Sequence, residues 1–376
     1  MLRIFVTGDN HIGLKYAGYD RASLLSESRI ETFKRMVESA NNEKCDLFVI
    51  TGDLFDNISK IPKKNIKALL DILSLFSGYV VILPGNHDYY DKEVELWRSF
   101  NDLSVSLDNI LLLNDYRPYK IEIGGDTVIL YPALCTSKHS LEDENNLGWI
   151  KDEGIIPDSK YRIGIAHGAV EGETIDREEK YFFMKRSELE DIPVDLWLIG
   201  HTHVPFPRGL SEEYSAVDER IFNAGTHQQT DLNNNTEGIC FIVEISKDKK
   251  IRAKKFVSGS LRFYRKNIAV TAGKMRDILT RELKDIKDDS VVDVILSGAV
   301  EMDEYESRRR IMDEVLSRFI EASYDDYALN KLISKELIDS EFPETSFSAG
   351  FLTALLDEPK EAQLAYELLK ELKEDR

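Results

Sequence analysis

Phe48-Val49-Ile50-Thr51-Gly52-Asp53-Leu54-Phe55-Asp56 is the stretch on which the reading of this 376-residue chain turns. A short apolar, β-branched run reads as a buried strand. The glycine permits a tight turn, and the first group past the turn is a carboxylate. The arrangement recurs on both sides. Ile4-Phe5-Val6-Thr7 leads into Gly8-Asp9-Asn10-His11, and Val81-Ile82-Leu83 into Pro84-Gly85-Asn86-His87-Asp88. Ile163-Gly164-Ile165-Ala166 leads into His167-Gly168, and Leu196-Trp197-Leu198-Ile199 into Gly200-His201-Thr202-His203. Five of the seven histidines thus fall within four residues after an apolar run, which scatter would not produce. In an open α/β sheet, ligands bind in the crevice beyond the carboxyl ends of the strands. The pattern predicts that five loops deliver polar side chains to one place.

Residue type then narrows the chemistry. Asp9, His11, Asp53, Asn86, His167, His201 and His203 offer oxygen and imidazole nitrogen, with no thiolate. That set suits intermediate divalent ions such as manganese, iron or zinc, rather than an all-oxygen magnesium or calcium cage. Seven donors exceed what one four-coordinate ion takes. They suit two ions about 3.5–4 Å apart with a carboxylate between them. Such a pair stabilises the attacking and departing oxygens of an in-line displacement at phosphorus. The residues alone therefore point to metal-assisted hydrolysis of a phosphate ester.

Between the apolar runs lie segments of helical period. Ile30, Phe33, Val37 and Ala40 form one face, and Ile66, Leu69, Leu70, Leu73 and Phe76 another. Gly124-Gly125 between two apolar runs predicts a hairpin. Strands outnumber helices after about residue 190. The order predicts an α/β protein, a four-layer α-β-β-α sandwich with two sheets inside and helices on both outer faces. The composition shifts near residue 247, and three regions are expected: a main domain over 1–258, a small α+β domain over 259–339, and a helical segment over 340–376.

Composition bounds the rest. A formal charge of −19 argues against a protein that coats nucleic acid by bulk charge. Three cysteines without C-x-x-C spacing argue against a disulfide framework or structural zinc, and a reducing compartment fits. With no export signal or membrane-spanning run in view, a cytoplasmic, membrane-free protein is expected.

The ordered set D-x-H, G-D, G-N-H-D, a lone His and G-H-x-H resembles the calcineurin-like metallophosphoesterase superfamily over roughly residues 1–258. The resemblance implies that Asp9, His11 and His203 hold one ion, that Asn86, His167 and His201 hold the other, and that Asp53 bridges. It implies a catalytic role for His87 at the leaving oxygen, oriented by Asp88. Gly52-Asp53-Leu54-Phe55-Asp56 with Gly85-Asn86-His87-Asp88 is similar to the SbcD-type nucleases of double-strand-break repair complexes. That likeness implies two manganese ions, 3′-to-5′ exonuclease and single-strand endonuclease activity on DNA, and a homodimer to which Leu96, Trp97 and Phe100 could contribute, though core packing explains those three equally well. It also implies that 259–339 is a capping domain that positions DNA, and that 340–376 docks on a coiled-coil ABC-type ATPase of SbcC kind. Two places depart from the nuclease pattern: Gly200-His201-Thr202-His203, shared with many small phosphodiesterases, and Asn223-Ala224-Gly225-Thr226-His227, where Pro-Gly-Ser is usual. They keep open a phosphodiesterase or phosphatase acting on nucleotides or other small esters. A non-enzymatic scaffold is disfavoured, because no ligand of the set is missing.

Several residues carry open readings. Asp56 could salt-bridge, hydrogen-bond a ligating histidine or contact substrate, and His227 could be structural or face the substrate. His139 is expected at the surface. Tyr16, Tyr89 and Tyr90 could stack on a base or pack on the rim. The basic run from Lys247 to Lys266, with Asp248 its only acid, could be a solvated face or, placed just before the small domain in a chain this acidic, a phosphate-contacting ridge.

Overall fold

The computed structural model describes residues 1–59, 61–141, 144–154, 159–173, 181–234 and 236–374. Its strands are β1 (Leu2–Thr7), β2 (Leu47–Ile50), β3 (Tyr79–Ile82), β4 (Ile110–Leu112), β5 (Tyr119–Ile123), β6 (Asp126–Ala133), β7 (Tyr161–His167) and β8 (Leu196–Gly200). They continue with β9 (Ser215–Val217), β10 (Ile221–Phe222), β11 (Ile239–Ile245), β12 (Ile251–Val257), β13 (Arg262–Thr271), β14 (Ser290–Val300) and β15 (Glu321–Lys331). The helices are α1 (Ala22–Asn42), α2 (Lys63–Leu73), α3 (Glu95–Ser104), α4 (Gly148–Glu153), α5 (Arg186–Asp191) and α6 (Met275–Leu283). They end with α7 (Met302–Glu306), α8 (Arg308–Leu316), α9 (Lys335–Glu341), α10 (Phe347–Ala354) and α11 (Pro359–Glu374).

The chain forms two compact units, Met1–Arg262 and Phe263–Arg376. In the first, one sheet has the order β4-β3-β2-β1-β11-β12-β9 and the other β10-β8-β7-β6-β5. Alternation along each strand sorts side chains to two faces. Ile4, Val6, Leu47 and Val49 meet Leu130, Ile163, Ile165 and Leu198 between the sheets. On the outer face of the first sheet, Phe5, Phe48 and Ile50 pack against Phe33 and Met36 of α1 and Leu69 and Leu70 of α2. On the outer face of the second, Ile129, Tyr131 and Trp197 pack against Ile150 of α4 and Leu189 of α5. This is the expected four-layer α/β sandwich.

Register puts the strand ends level. Thr7 pairs with Ile50 and Ile50 with Ile82 across β1, β2 and β3, all parallel. His167 pairs with Gly200 across parallel β7 and β8. Within each sheet, the loops that follow these parallel strands therefore leave at the same edge.

Two open readings are decided here. Leu96, Trp97 and Phe100 are buried inside the outer core of the first sheet, and the Trp97 indole N–H donates to the Asp88 and Tyr89 carbonyls. They are core residues and offer no surface to a second copy. The basic run is not a bare ridge either. Lys249 pairs with Asp195 (2.7 Å), Lys254 with Glu43 (2.8 Å), Arg252 with Glu244 (3.5 Å), and Lys255 and Arg262 with Glu237 (3.1 and 3.6 Å). Asp195 and Glu43 arrive from distant segments, so no window of sequence around the run reveals those two partners.

In the second unit, β13, β14 and β15 form a sheet in that order, with β14 and β15 parallel. Val292, Val294 and Leu296 of β14 face Leu279 of α6 and Met312 of α8. Ser334 and Ser346 cap α9 and α10 by accepting the N–H of Leu337 and Ala349. Helices α9–α11 close over Ile338, Leu352 and Tyr366. Leu364, Leu368 and Leu372, spaced one helical turn apart on α11, stay exposed, as do Phe347 and Phe351 of α10. No helix among the described residues is long and apolar enough to cross a membrane.

Candidate metal centre

The loops that follow β1, β2, β3, β7 and β8 converge. Their closeness depends on glycine at two places. A Cβ on Gly52, whose φ is +102°, would lie 2.1 Å from the His167 ring, and a Cβ on Gly85 would lie 2.3 Å from the Asp53 backbone nitrogen and Oδ1. Asp9, His11, Asp53, His201 and His203 all adopt positive φ, between 44° and 116°. Such backbone costs about 1–3 kcal/mol per residue and gathers at functional sites.

The side chains meet in one network. His11 Nε2 and His203 Nε2 lie 3.0 Å apart, and His203 Nε2 is 3.9 Å from Asp9 Oδ1. Asn86 Oδ1 is 3.0 Å from His167 Nε2 and 3.2 Å from His201 Nδ1. Asp53 Oδ2 reaches both groups, 3.9 Å from His11 Nε2 and 3.4 Å from His167 Nε2. Asp9, His11 and His203 each offer a donor atom within 4.8 Å of the others, as do Asp9, Asp53 and His167, and also His11, Asp53 and His87. The His201 backbone N–H donates to both Asp9 oxygens at 3.0 Å.

Electrostatics favours cations. Asp9 and Asp53 are buried, and among the described residues no lysine or arginine pairs with either. Burial, aided by the Asp53 charge, pushes the Asp9 carboxyl up to about 7. Burial also acts to raise Asp53, but His167 and its fellow imidazoles outweigh it and hold that carboxyl well below its usual range. Burial would lower His167, yet Asp53 holds it up to about 9. Burial lowers His11, and burial with His11 beside it pushes His203 down to about 3. The His11 and His203 imidazoles, kept neutral and aimed at each other beside Asp9, are what a divalent ion needs, and the Asp53 charge that holds a proton on His167 would attract a cation in its place. The residues present fit a pair of divalent ions.

The remaining site residues sort by contact. His87 is half-buried. Its Nδ1 lies 3.1 Å from the Asp56 carbonyl, and its ring centroid is 4.8 Å from that of His11. Asp88 does not orient it. Both Asp88 oxygens are taken by backbone N–H groups, Phe55 at 3.0 Å and Gly85 at 2.7 Å, and burial with the Asp53 charge pushes the carboxyl up to about 7. Asp88 thus braces the loops after β2 and β3 against each other. The Asp56 carboxylate stands 3.5 Å from His11 Nδ1. His227 is buried, with Nε2 3.1 Å from the Arg29 carbonyl, and is structural. His139 is exposed, as expected.

Tyr16 is buried and accepts an N–H from Arg29, while Tyr90 accepts from Asn114 and packs on Trp97. Tyr16 thus belongs to the interior, and Tyr90 is partly buried against the core. Among the described residues, the Tyr181 ring lies 5.0 Å from that of the candidate ligand His201, and nothing in its sequence surroundings announced it. Arg29 is the other residue the motifs missed. The available signal was an arginine on the apolar face of α1.

Directly after His203, Val204, Pro205, Pro207, Leu210 and Phe241 line a cleft of about 580 Å³ together with Arg208, Lys255 and Arg262. Glu237 neutralises part of this charge.

A family model described as calcineurin-like phosphoesterase matches residues 2–205. The chain is 26% identical over 208 residues to the DNA double-strand break repair protein Mre11 of Archaeoglobus fulgidus, covering 52% of this chain and 45% of that one. It is 25% identical over 227 residues to the SbcD component of the nuclease SbcCD of Staphylococcus saprophyticus, covering 54% and 57%. It is 22% identical over 198 residues to the uncharacterized metallophosphoesterase YhaO of Bacillus subtilis, covering 51% and 45%. The matched stretch spans about half the length of these curated relatives. Among solved structures, TT1561 of Thermus thermophilus superposes with a TM-score of 0.42 at 10% identity, covering 68% of this chain and 99% of that one.

Proposed function

The chain belongs to the calcineurin-like phosphoesterase family, and from that premise we propose that it is a two-metal phosphodiesterase acting on DNA. The observation that carries the reading is the placement of Asp53 between two sets of donors, Asp9–His11–His203 and Asn86–His167–His201. Two divalent ions, manganese in this reading, would activate a water nucleophile and stabilise charge on the phosphate oxygens. Asp9, His11 and His203 would hold one, Asn86, His167 and His201 the other, and Asp53 both.

The chain's own residues supply the proton. A carbonyl only accepts, so the contact with Asp56 fixes the hydrogen on His87 Nδ1. Nε2 is then free to carry a second proton and give it to the departing oxygen. The DNA reading draws on the two relatives named as a nuclease component and a double-strand-break repair protein, and on the cations lining the cleft beside His203. The exposed leucines of α11 and phenylalanines of α10 suit docking on a coiled-coil ATPase partner of SbcC kind.

Manganese-supplemented protein offered linear duplex DNA, single-stranded circular DNA, bis-p-nitrophenyl phosphate and cyclic nucleotides tests this. Cleavage of both DNA substrates is expected. Turnover confined to the small diesters would replace the nuclease reading with a small-molecule phosphodiesterase.

A further inference from the structure

We propose that Arg29 is the positioning residue of one half of the metal centre, fixing the left-handed loop that aims Asp9 and His11 at His203. The inference rests on reading these residues as ion ligands. Arg29 sits in the middle of α1 and is fully buried, yet among the described residues no carboxylate pairs with it. A buried guanidinium without a counter-ion persists only where its N–H groups are all occupied. Here they are, and the acceptors are telling.

Nε and Nη2 both donate to the Asn10 carbonyl, at 3.0 and 2.7 Å. Nη2 also reaches Thr226 Oγ1 at 3.3 Å, and that hydroxyl lies 2.9 Å from the Asp9 carbonyl. Nη1 spans to the Gln228 and Gln229 carbonyls at 3.1 and 3.3 Å. Arg29 therefore clamps the Asn10 carbonyl directly and the Asp9 carbonyl through the Thr226 hydroxyl, between α1 and the 226–229 loop. Those are the carbonyls of a loop whose flanking residues, Asp9 and His11, have φ of 48° and 44°. Released, Asn10 would turn its carbonyl and swing both ligands.

The other half is held differently. His167 Nδ1 is 2.9 Å from the Thr51 carbonyl, and Asn86 is fixed by His167 and His201. None of these contacts involves Arg29, so its loss should strike the two ions unequally.

The test uses the full chain, stripped of metal and titrated with Mn²⁺ by calorimetry, with electron paramagnetic resonance of the loaded protein. The wild type should bind two ions and show a coupled pair. Arg29→Lys keeps the charge but loses the fork. It should hold one ion with wild-type affinity, weaken the other about 10- to 100-fold, and show the spectrum of an isolated ion. Thr226→Val should act in the same direction, and Thr226→Ser should restore two ions.

Two ions at wild-type affinity in both Arg29→Lys and Thr226→Val overturn the proposal. So does equal weakening of both ions with intact near-ultraviolet dichroism, because a clamp on one loop is selective. If Arg29→Lys does not fold, the Thr226 pair decides alone. A wild type that binds no ion defeats the metal reading itself, a result distinct from the failure of Arg29.

Discussion

Asp53 and His87 stand one contact apart, since the His87 backbone N–H donates to Asp53 Oδ1 at 2.8 Å, yet they should fail in different ways. Asp53→Asn removes the charge that both donor sets share and that holds His167 up. Calorimetry should show Mn²⁺ affinity falling by 10-fold or more, and cleavage falling with it. His87→Gln leaves the ion donors of both sets in place, so two ions should still bind while kcat drops about 10²- to 10⁴-fold. Full activity in His87→Gln would remove its proton-transfer role. Asp88 makes a third case. Its oxygens serve two backbone N–H groups in a buried place, and Asp88→Ala strands both donors. A loss of about 1–3 kcal/mol per stranded group is expected in denaturant unfolding, larger than the loss in His87→Gln. The motif G-N-H-D made Asp88 legible as a site residue. It could not show that the partner of His87 is a main-chain carbonyl of residue 56.

Elements explain why the ligands were readable and other features were not. Buried parallel strands are near-continuous apolar runs, so β1, β2, β3, β7 and β8 stand out, and each is followed at once by its polar loop. β15 is the opposite case. In Glu321–Lys331 only Leu329 is fully buried, so the strand lacks the apolar signal despite its 11 residues. β4 and β9, three residues each, are too short for any period. Arg29 was illegible for another reason: its acceptors lie at Asn10 and at 226–229, brought together only by packing of α1. Level strand ends also yield a prediction. Gly85 has an ordinary φ, so Gly85→Ala tests sterics alone, and its Cβ would press on the Asp53 nitrogen and Oδ1. Separation of the loops after β2 and β3 should cost ion binding more than it costs Tm. Two ions bound at wild-type affinity would show that the loops can yield without harm.

At the scale of the whole molecule, the proposed DNA activity asks a chain of net charge −19 to meet a polyanion without a basic coat. The Lys247–Lys266 run does not supply one, because its charges are largely spent on intramolecular pairs. Lys254 is held between Glu43 at 2.8 Å and the Tyr214 ring at 4.7 Å, and Lys255 is held by Glu237. Salt dependence separates the two uses of charge, since each phosphate neutralised adds about 0.9 to the slope of log K against log salt for duplex DNA. Lys254→Gln should therefore lower Tm slightly and leave that slope as it is, measured by fluorescence anisotropy of a labelled duplex across a potassium chloride series. Arg208 is exposed and lines the cleft that begins at Val204, the residue after the candidate ligand His203. Arg208→Ala should flatten the slope by about one unit if that cleft carries a phosphate of the bound strand. The reverse pattern, a slope that responds to Lys254 and ignores Arg208, would return the nucleic-acid contact to the β11–β12 hairpin. Attraction would then rest on a surface whose pairs must break on binding, and Lys254→Gln would weaken DNA affinity most at low salt, where screening is least.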